Sequence, residues 1–483
     1  MEAATVSMEE HRALKARYDA LRFELEQLKK LVFGSRSERA DAAQIPGQIG
    51  LFGDIPQGPS AIAETETVSY ERDKKRKAHP GRHALPDHLP VREVTVEPEG
   101  NTAGMKKIGE EVTETLEYTP ASLIRLRTVR PKYARAEGDG VLIAPLPERP
   151  LPKAVAGASL LAHILVSKYI DHLPFYRQAK IFKRDFGWEP AQSTLSDWMA
   201  GCCRLLEPLY DRLKQKILAS GYIQADESPI KVLESEKRGS SHRGYHWVYH
   251  DPVGRLVLFN YRKGRGQHGP KELLAGYRGV LQCDGYTVYD KIGADPKITL
   301  AGCLAHARRK FHESLDSDPE RAKWALARFA DVYGTERDIK ERAGDGFDER
   351  RAARTERILP VLAEIKEWID GESIKVLPKS PIGKAMAYFL NQWPKFTAIF
   401  GDGRIELDNN LIENAIRPLA LGRKNYLFAG SHRAAQHAAM LYSFFGSCKM
   451  QDVNPMEWLA DTLQRLPGHS IQRLGELLPG YRP

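Results

Sequence analysis

The sequence predicts a multidomain chain of the α+β class. Its 483 residues exceed what one hydrophobic core usually serves, so three or so folded units of about 150 residues each are expected. Short segments of alternating apolar and polar residues lie in the middle of the chain, with helical patterns on both sides of them. Hydrophobic residues make up 42% and charged residues 28%, which is ordinary for a globular protein with a large core.

Charge and cysteine usage limit the class of function. Lys and Arg exceed Asp and Glu by 72 to 63, and the net charge of +9 weakly favours a polyanionic partner. The cysteines are odd in number and scattered, which predicts reduced thiols: Cys202, Cys203, Cys283, Cys303 and Cys448. The chain shows neither a leader pattern nor an apolar run long enough for a membrane, so we expect a cytoplasmic protein with no membrane partner.

Residues 1–40 carry a short heptad pattern. Apolar residues recur every seven positions in two interleaved series, Leu14, Leu21, Leu28 and Tyr18, Leu25, Val32. A coiled-coil dimer and a single amphipathic helix packed on its own domain both fit about three heptads. Residues 41–90 lack periodicity and read as a linker, whose basic run at residues 71–77 fits phosphate contacts or a solvated surface.

Two small segments follow the linker. Residues 91–150 contain alternating stretches that predict a small β module. Residues 151–218 are helical in pattern: one helix begins near Leu173, residues 186–188 break it, and the hydroxyls of Ser193 and Thr194 are expected to cap the next. This arrangement resembles a DNA-binding helix-turn-helix, and an ordinary helical hairpin fits it equally well.

Residues 219–430 carry the strand pattern. Strands are predicted at residues 221–226, 245–249, 256–261, 279–284 and 298–303, with a brief helix at 270–274. Residues 315–400 are mostly helical in pattern, and residues 431–483 predict a C-terminal helical tail. This order of strands is found in ribonuclease-H-like nuclease domains, so we interpret residues 219–430 as such a catalytic domain with a helical insertion.

Three acids occupy informative positions in this domain. Asp226 and Asp284 end the first and fourth predicted strands, which are neighbours in a ribonuclease-H-like sheet. Glu413 follows on a short helix, which we expect to be capped by Asp408 or Asn409 and to end at Pro418. Converging carboxylates hold hard cations such as Mg²⁺ or Mn²⁺, and two such ions can activate an attacking oxygen and stabilise a leaving one.

The stretches around these acids resemble the large catalytic protein of the insertion-sequence-66 family of transposases. The matching stretches are ADESPIKV at residues 225–232, CDGY at 283–286, GCLAHARRKF at 302–311, and parts of 408–431. The resemblance covers nearly the whole chain, since the family also has a zipper-like helix, a zinc module and a helical tail. It implies that Asp226, Asp284 and Glu413 are the catalytic and metal-binding acids of a DNA transposase.

The small module departs from the family pattern. The family has two cysteine pairs there, which would fall near residues 101–104 and 135–138, yet this sequence has no cysteine before Cys202. Tetrahedral zinc needs about four Cys or His ligands at close spacing. We therefore expect the module to persist without structural zinc.

Residues beside the acids have supporting roles in this interpretation. Cys303 and His306 have ligand-like spacing and are expected to position the strand-to-helix turn rather than to act in catalysis. Basic residues are expected to hold DNA phosphates, the last three of them beside the metal: Arg308, Arg309, Lys310, Arg417, Arg423 and Lys424. A solvated helix face is the alternative for residues 308–310.

The resemblance also implies partners. These are double-stranded DNA, as element ends and target, and two small accessory proteins of the same element, in a bacterial nucleoid-associated setting. Holding two DNA ends together requires a homo-oligomer. Two other functions fit the sequence: a structure-specific endonuclease of the same fold, and a catalytically silent DNA-binding protein descended from a transposase. The presence of all three acids favours the active transposase.

Overall fold

A five-stranded sheet organises the computed structural model, which describes residues 122–126, 132–134, 141–143, 148–152, 154–234, 240–344 and 346–481. The predicted zipper-like helix and linker lie outside these residues, as does most of the small β module. Of that module the structure describes two short antiparallel strands, β1 (Lys132–Ala134) and β2 (Val141–Ile143). All described helices and strands belong to one unit of the chain, which includes Leu126–Pro483.

Three helices precede the sheet: α1 (Ala158–Tyr169), α2 (Phe175–Phe186) and α3 (Gln192–Leu218). The predicted break is confirmed, because Gly187 ends α2 with φ 67°, a left-handed conformation that glycine adopts without a Cβ clash. The expected hydroxyl caps are wrong. Helix α3 begins after Ala191 without a side-chain cap, so Ser193 and Thr194 already lie inside its first turn.

The sheet combines antiparallel and parallel pairing. Its strands and short helices are β3 (Tyr222–Val232), β4 (His242–Asp251), β5 (Leu256–Arg262), α4 (His268–Leu273), β6 (Gly279–Gln282), α5 (Thr287–Ile292) and β7 (Ile298–Ala301). The strand order is β5-β4-β3-β6-β7. Pairs β3–β4 and β4–β5 are antiparallel, whereas β3–β6 and β6–β7 are parallel. The five predicted strands are therefore confirmed, and β3 and β6 are neighbours.

The two faces of the sheet contribute to different cores. Side chains alternate between the faces of a strand, and Ile223 and Leu281 belong to a core shared with α1, α3 and the C-terminal helices. Tyr222 and Val280 belong to a second core, which lies on the opposite face. The sheet is thus covered on both sides in the region of β3 and β6.

Five helices supply most of the second core. They are α6 (Leu304–His312), α7 (Pro319–Ala343), α8 (Phe347–Arg357), α9 (Leu359–Glu372) and α10 (Pro381–Phe396), and they confirm the helical pattern of residues 315–400. Phe311, Phe329 and Phe389 are fully buried within it. Arg354 is fully buried too, and it pairs with Glu336 at 2.6 Å.

Helix α11 (Asn410–Tyr426) carries the third acid. The expectation that Pro418 ends this helix is wrong, since α11 continues for two more turns. Proline removes one backbone donor, but buried Leu419 and the close packing of Gly422 against Tyr442 hold the following turns in place. Asn409 is the N-cap residue without a side-chain cap bond, while Asp408 Oδ1 accepts from the N–H of Asn410 at 3.0 Å.

The C-terminal helices α12 (His432–Met450) and α13 (Pro455–Arg465) pack on the sheet. Edge strand β5 has backbone donors that no further strand pairs. Ser443 Oγ accepts from the N–H of Phe259 at 2.7 Å, and Ser447 Oγ accepts from the N–H of Val257 at 3.0 Å. Buried donors at a sheet edge are thereby satisfied. In the part of the chain that the structure describes, no helix has the length and apolarity needed to cross a membrane.

Candidate active site

Two acids come from adjacent parallel strands: Asp226 lies within β3, and Asp284 follows the end of β6. Gln224 of β3 is in register with Gln282 of β6, and Asp226 and Asp284 each follow two positions later. Neighbouring strands are about 4.8 Å apart, and residues two positions apart in a strand share a face. Asp226 therefore continues the face that carries the two glutamines, and Asp284 lies two residues past Gln282, beyond the end of β6.

The third acid, Glu413, lies in the first turn of α11. Buried amides bind the segment before this helix to the sheet. Gln282 Nε2 donates to the carbonyl of Glu406 at 2.7 Å, and Gln224 Nε2 donates to the carbonyl of Asp408 at 3.0 Å. These bonds hold the start of α11 against the two strands that carry the other acids.

Tyr222 completes this set, which we call the amide network (Tyr222, Gln224 and Gln282). Its hydroxyl donates to Gln282 Oε1 at 2.6 Å and accepts from the N–H of Glu406 at 3.0 Å. All three side chains are fully buried. Satisfied buried polar groups are rigid and specific, so the network fixes α11 relative to β3 and β6.

The carboxylates share one electrostatic environment. The pKa of Asp226 is raised from 3.8 to about 7. Burial is the largest cause, since it favours the neutral form. The charges of Glu227, Asp284 and Glu413 raise the pKa further, and the backbone N–H of Glu227, which donates to Asp226 at 2.7 Å, opposes them.

Glu227, for which the sequence analysis assigned no role, is also part of this site. Its side chain is only 4% exposed and accepts from the Arg265 guanidinium at 2.6 and 2.8 Å. Burial raises the pKa of Glu227, and the bond with Arg265 opposes this. Arg265 in turn stacks on Tyr286, 4.2 Å from its ring centre. Adjacency to Asp226 is the one signal in the sequence that pointed to Glu227.

The turn after β6 orients the second acid. The N–H of Tyr286 donates to Asp284 Oδ1 at 2.9 Å. A Cβ at Gly285 would come within 2.8 Å of the Tyr388 ring. Glycine at this position therefore lets the turn pack against α10 while Asp284 stays at the end of β6.

Cys303 and His306 lie at the turn from β7 into α6. Cys303 Sγ accepts from the N–H of Asn409 at 3.3 Å, which binds this turn to the start of α11. His306 Nδ1 is buried and has no hydrogen-bond partner among the described residues. Burial is the largest cause of the lowered pKa of His306, and the charges of Asp284 and Glu413 oppose it. Both positions fit the expected role of placing the turn beside the acids.

Helix α6 brings cations to the third acid. Arg309 Nη2 lies 4.0 Å from Glu413 Oε2, with the Arg309 side chain 55% exposed. Lys310 Nζ lies 4.9 Å from the centre of the Tyr388 ring, and Arg308 is half-buried. Arg309 therefore places positive charge beside Glu413.

The cations of α11 lie farther along the helix. Arg417 is exposed one turn after Glu413. Arg423 and Lys424 follow Glu413 at a distance of about 15 Å along the helix axis. Arg423 Nη1 donates to the carbonyl of Pro229 in β3. The last two cations thus lie away from the acids, and their contact with DNA stays a prediction.

The site fits a divalent cation by its donor chemistry. Carboxylate oxygens are the ligands that Mg²⁺ and Mn²⁺ prefer. The raised pKa of Asp226 indicates negative charge that the protein leaves unbalanced, and His306 adds an unpartnered ring nitrogen. Among the residues that the structure describes, no three His, Cys, Asp or Glu side chains have the spacing of an assembled metal site. The charges of Asp284 and Glu413 act on Asp226, but the three side chains are not assembled around one point.

Family models match nearly the whole chain. The model described as Transposase IS66 family matches residues 153–437, and the IS66 C-terminal element matches residues 443–479. Residues 20–94 match Transposase C of IS166 homeodomain, and residues 98–134 match the zinc-finger binding domain of transposase IS66. The zinc-finger match weighs against the prediction of no zinc. Residues 98–134 nevertheless contain neither Cys nor His, the ligands of structural zinc.

Three proteins of Sinorhizobium fredii are similar to this chain over almost its full length. They are the uncharacterized proteins y4jD, y4hP and y4qI, with 34%, 32% and 33% identity. Each match covers 95% of this chain and 94%, 88% and 88% of the respective relative. The matched catalytic domain implies a partner, DNA, and the use of a divalent metal. On these matches, the chain belongs to the IS66 family of transposases.

Proposed function

We propose that this chain cleaves the ends of an insertion sequence and joins them to target DNA, with Asp226, Asp284 and Glu413 as its catalytic acids. One observation carries the proposal. The acids come from β3, from the end of β6 and from α11, which are far apart in the chain. The charges of Asp284 and Glu413 nevertheless raise the pKa of Asp226. An Asp-Asp-Glu set in a transposase family points to phosphodiester chemistry.

The strand arrangement supports a ribonuclease-H-like catalytic domain. Three antiparallel strands are followed by two parallel ones, and the first and fourth strands of the domain are neighbours. The helices within residues 315–400 stand between β7 and α11, as an insertion in such a domain would. A ribonuclease-H-like domain carries its first two acids on neighbouring strands and the third on a later helix, which is the order of Asp226, Asp284 and Glu413 here.

We assign the metal ligands to Asp226, Asp284 and Glu413. A bound Mg²⁺ or Mn²⁺ supplies Lewis-acid stabilisation of charge on the phosphate oxygens. Asp226 has a pKa of about 7, so it gives up its proton near neutral pH and becomes available as an anionic ligand. Metal binding is therefore expected to release a proton at this residue.

Neighbouring residues position the substrate in this proposal. Arg309 offers its half-exposed guanidinium beside Glu413, where it is placed to bind a DNA phosphate. Arg308 and Lys310 extend that cationic surface, and Arg417 adds to it from α11. Double-stranded DNA is the substrate, and a homo-oligomer holds its two ends. The two small accessory proteins of the element are further proposed partners.

The test is end cleavage of labelled DNA that carries the terminal sequences of the element. Purified protein is incubated with Mg²⁺ or Mn²⁺, with EDTA as the metal-free control. Asp226→Ala, Asp284→Ala and Glu413→Ala are each expected to abolish cleavage while DNA binding survives. Asp461→Ala is the matched control, because among the described residues this exposed carboxylate of α13 pairs with Arg465 in the next turn of its own helix.

Two outcomes would replace the proposal. Binding of the ends without any cleavage, even with the accessory proteins added, favours a catalytically silent DNA-binding protein. Cleavage that follows DNA branches or flaps rather than terminal sequences favours a structure-specific endonuclease.

A further inference from the structure

We propose that a second DNA-binding surface lies at the far ends of β3 and α11 and contacts backbone phosphates about five base pairs from the bond that is cut. We call this surface the hairpin patch. It consists of Lys231, Arg243, Arg423 and Lys424. The proposal rests on the proposed function, because it takes the acids as the point where DNA is cut.

Two of these cations face each other across the β3–β4 hairpin. Lys231 is in register with Arg243, and both side chains are exposed. Side chains in register on antiparallel strands lie on the same face, about 5 Å apart at Cβ, and like charges in this arrangement are destabilising. An anion bound between them would offset the repulsion.

The end of α11 adds two more cations to the same place. Arg423 Nη1 donates to the carbonyl of Pro229, two residues before Lys231. The chain after α11 then pairs with β3, since the N–H of Ala429 donates to the carbonyl of Lys231 at 2.9 Å. Lys231, Arg243 and Arg423 line one open cavity of ≈ 350 Å³.

The charges of the patch are not neutralised by the described protein. None of its four cations forms an ion pair with a carboxylate in the described ranges, in contrast to Arg262, which pairs with Glu272 at 2.9 Å. Glu234, which follows the end of β3, accepts from the N–H of His432 at 2.9 Å. The helix dipole stabilises cations at the C-terminal end of a helix, such as Arg423 and Lys424. This effect does not account for the unpaired charges of Lys231 and Arg243, which lie on strands.

Two elements set the same distance between the patch and the acids. Along β3, Asp226 and Lys231 are five residues apart, which is about 17 Å in a strand. Along α11, Glu413 and Arg423 are ten residues apart, which is about 15 Å in a helix. Asp226 lies within β3 and Glu413 in the first turn of α11, and both elements run from the acids to the patch. Side chains five positions apart in a strand leave opposite faces, so the path of the duplex is set by α11, where Glu413 and Lys424 are eleven residues apart and lie on one side of the helix. A duplex lying along α11 advances about five base pairs over this distance, at 3.4 Å per base pair.

The partner that fits is the DNA backbone rather than an acidic protein. Three of the four cations, Lys231, Arg243 and Lys424, are exposed. Exposed cations bind phosphates, which position a duplex without reading its sequence. The patch would therefore hold the DNA that flanks the cut and set its direction across the acids.

Charge removal tests the binding. Lys231→Gln/Arg243→Gln is expected to weaken binding of a labelled non-specific duplex about tenfold or more at moderate salt, and to lower the slope of log K against log salt by about 1.8. Lys379→Gln/Lys384→Gln removes the same charge from exposed lysines of another surface and is expected to keep the slope. Lys231→Arg/Arg243→Lys, which keeps both charges, should bind as the wild type does.

These measurements are made in EDTA and need no cleavage, so they can fail independently of the proposed function. An unchanged affinity and slope in Lys231→Gln/Arg243→Gln would overturn the patch. An equal loss of DNA affinity in Lys379→Gln/Lys384→Gln would overturn it as well, because the loss would then depend on the net charge of the protein and not on the position of the cations. Loss of binding to an acidic protein with DNA binding intact would assign the surface to that partner instead.

A position-specific probe tests the geometry. The five native cysteines are all buried, so Arg243→Cys offers one accessible thiol for an iron chelate that cuts nearby DNA. On a duplex with the element end, cuts are expected to centre about five base pairs from the terminal nucleotide. Cuts centred more than about one helical turn away, or no cuts in the bound complex, would contradict the proposal.

Discussion

At Asp226, burial and neighbouring charge act in the same direction. Both disfavour the ionised carboxylate, which is why the pKa reaches about 7. A perturbed pKa in a group of acids is typical of functional sites. Ionising Asp226 therefore costs free energy in the metal-free protein. The cation that we propose there would offset this cost, because a positive charge favours the ionised carboxylate.

The sign of this shift gives a prediction for stability. The folded pKa lies above the ordinary value, so the stabilising contribution of Asp226 is complete below about pH 4 and is lost as the pH rises to 7. Asp226→Asn, which stays neutral, should therefore be more stable than wild type in EDTA at about pH 8, by on the order of 4 kcal/mol, with the difference vanishing towards pH 4.

Denaturant unfolding of the metal-free proteins across this pH range measures the difference. Asp461→Asn, an exposed control in α13, should leave the free energy of unfolding nearly unchanged. An Asp226→Asn protein no more stable than wild type at pH 8 would show that Asp226 ionises freely in the fold.

The sequence identified some site residues and not others for a clear reason. Asp226 and Asp284 stand out because each follows an apolar strand segment. Glu227 does not, since its importance depends on Arg265, which only the folded sheet brings to it. Arg423 lies on the expected helix, but its distance from Glu413 follows from α11 continuing past Pro418.

At the level of elements, the amide network fixes the position of α11 relative to the sheet. Gln282 Nε2 donates to the carbonyls of both Gly302 and Glu406, at 2.9 and 2.7 Å. The catalytic proposal requires Glu413 to stay beside two strands that are remote from it in sequence. Buried, fully bonded amides meet that requirement better than apolar contacts, because hydrogen bonds have direction.

Gln282→Leu is expected to lower the rate of DNA cleavage at saturating DNA by tenfold or more, with DNA binding retained. It leaves two buried carbonyls without their donor, at about 1–3 kcal/mol each, and releases the start of α11. Gln451→Leu is the matched control, since Gln451 Nε2 donates to the carbonyls of Gly254 and Arg255 at the β4–β5 turn. If both variants lose cleavage equally, the effect is one of stability and not of position.

Buried charge joins the helices of the second core to the same segment. Glu336 accepts from Arg350 and Arg354, and Arg354 Nη1 donates to the carbonyl of Ile405 at 2.7 Å. Glu336→Leu should lower the free energy of unfolding by about 3–5 kcal/mol, because the fully buried Arg354 loses its carboxylate partner and Arg350 is left with Glu406.

Denaturant unfolding measures this loss. Glu364→Leu is the control, since Glu364 is 45% exposed and pairs with Arg328 at 3.3 Å; it should cost about 1 kcal/mol or less. Equal effects of the two substitutions would mean that the Glu336 cluster is not a stabilising contact.

Elements with a strong repeating pattern were predictable. The five strands carry apolar runs or alternating residues, and the sheet has a strand at each of them. The predicted end of the first strand at Asp226 is wrong, because β3 continues to Val232 through its pairing with β4. The extent of α11 was not, because tertiary packing at Leu419 and Gly422 outweighs the local effect of Pro418. The start of α3 was missed because Ala191 begins the helix without a capping side chain.

Across the described part of the molecule, the sheet lies between two cores, and the candidate site lies where β3 and β6 meet α6 and α11. The sequence indicates which segments are helical but not which face of the sheet each one covers. Arg354 shows why, since a charged residue in a polar helix predicts exposure, yet it is fully buried beside Glu336.

Assembly is a prediction at this scale. A transposase must hold two DNA ends, and the heptad residues Leu14, Leu21 and Leu28 lie outside the described residues. Light scattering of the full chain is expected to give a dimer or larger assembly, and Leu21→Glu should weaken it, because a buried charge disrupts an apolar seam. A strict monomer with and without DNA would contradict this expectation.

Strand transfer tests the central claim most directly. A labelled duplex of the element end, with a free 3′ hydroxyl, is mixed with a supercoiled plasmid and Mg²⁺ or Mn²⁺, beside the Glu413→Gln variant. We predict that label becomes covalently joined to the plasmid only with metal and only with the wild-type protein. A wild-type protein that binds the end and the plasmid with metal and accessory proteins present, yet never joins them, would contradict the assignment of this chain as an active transposase.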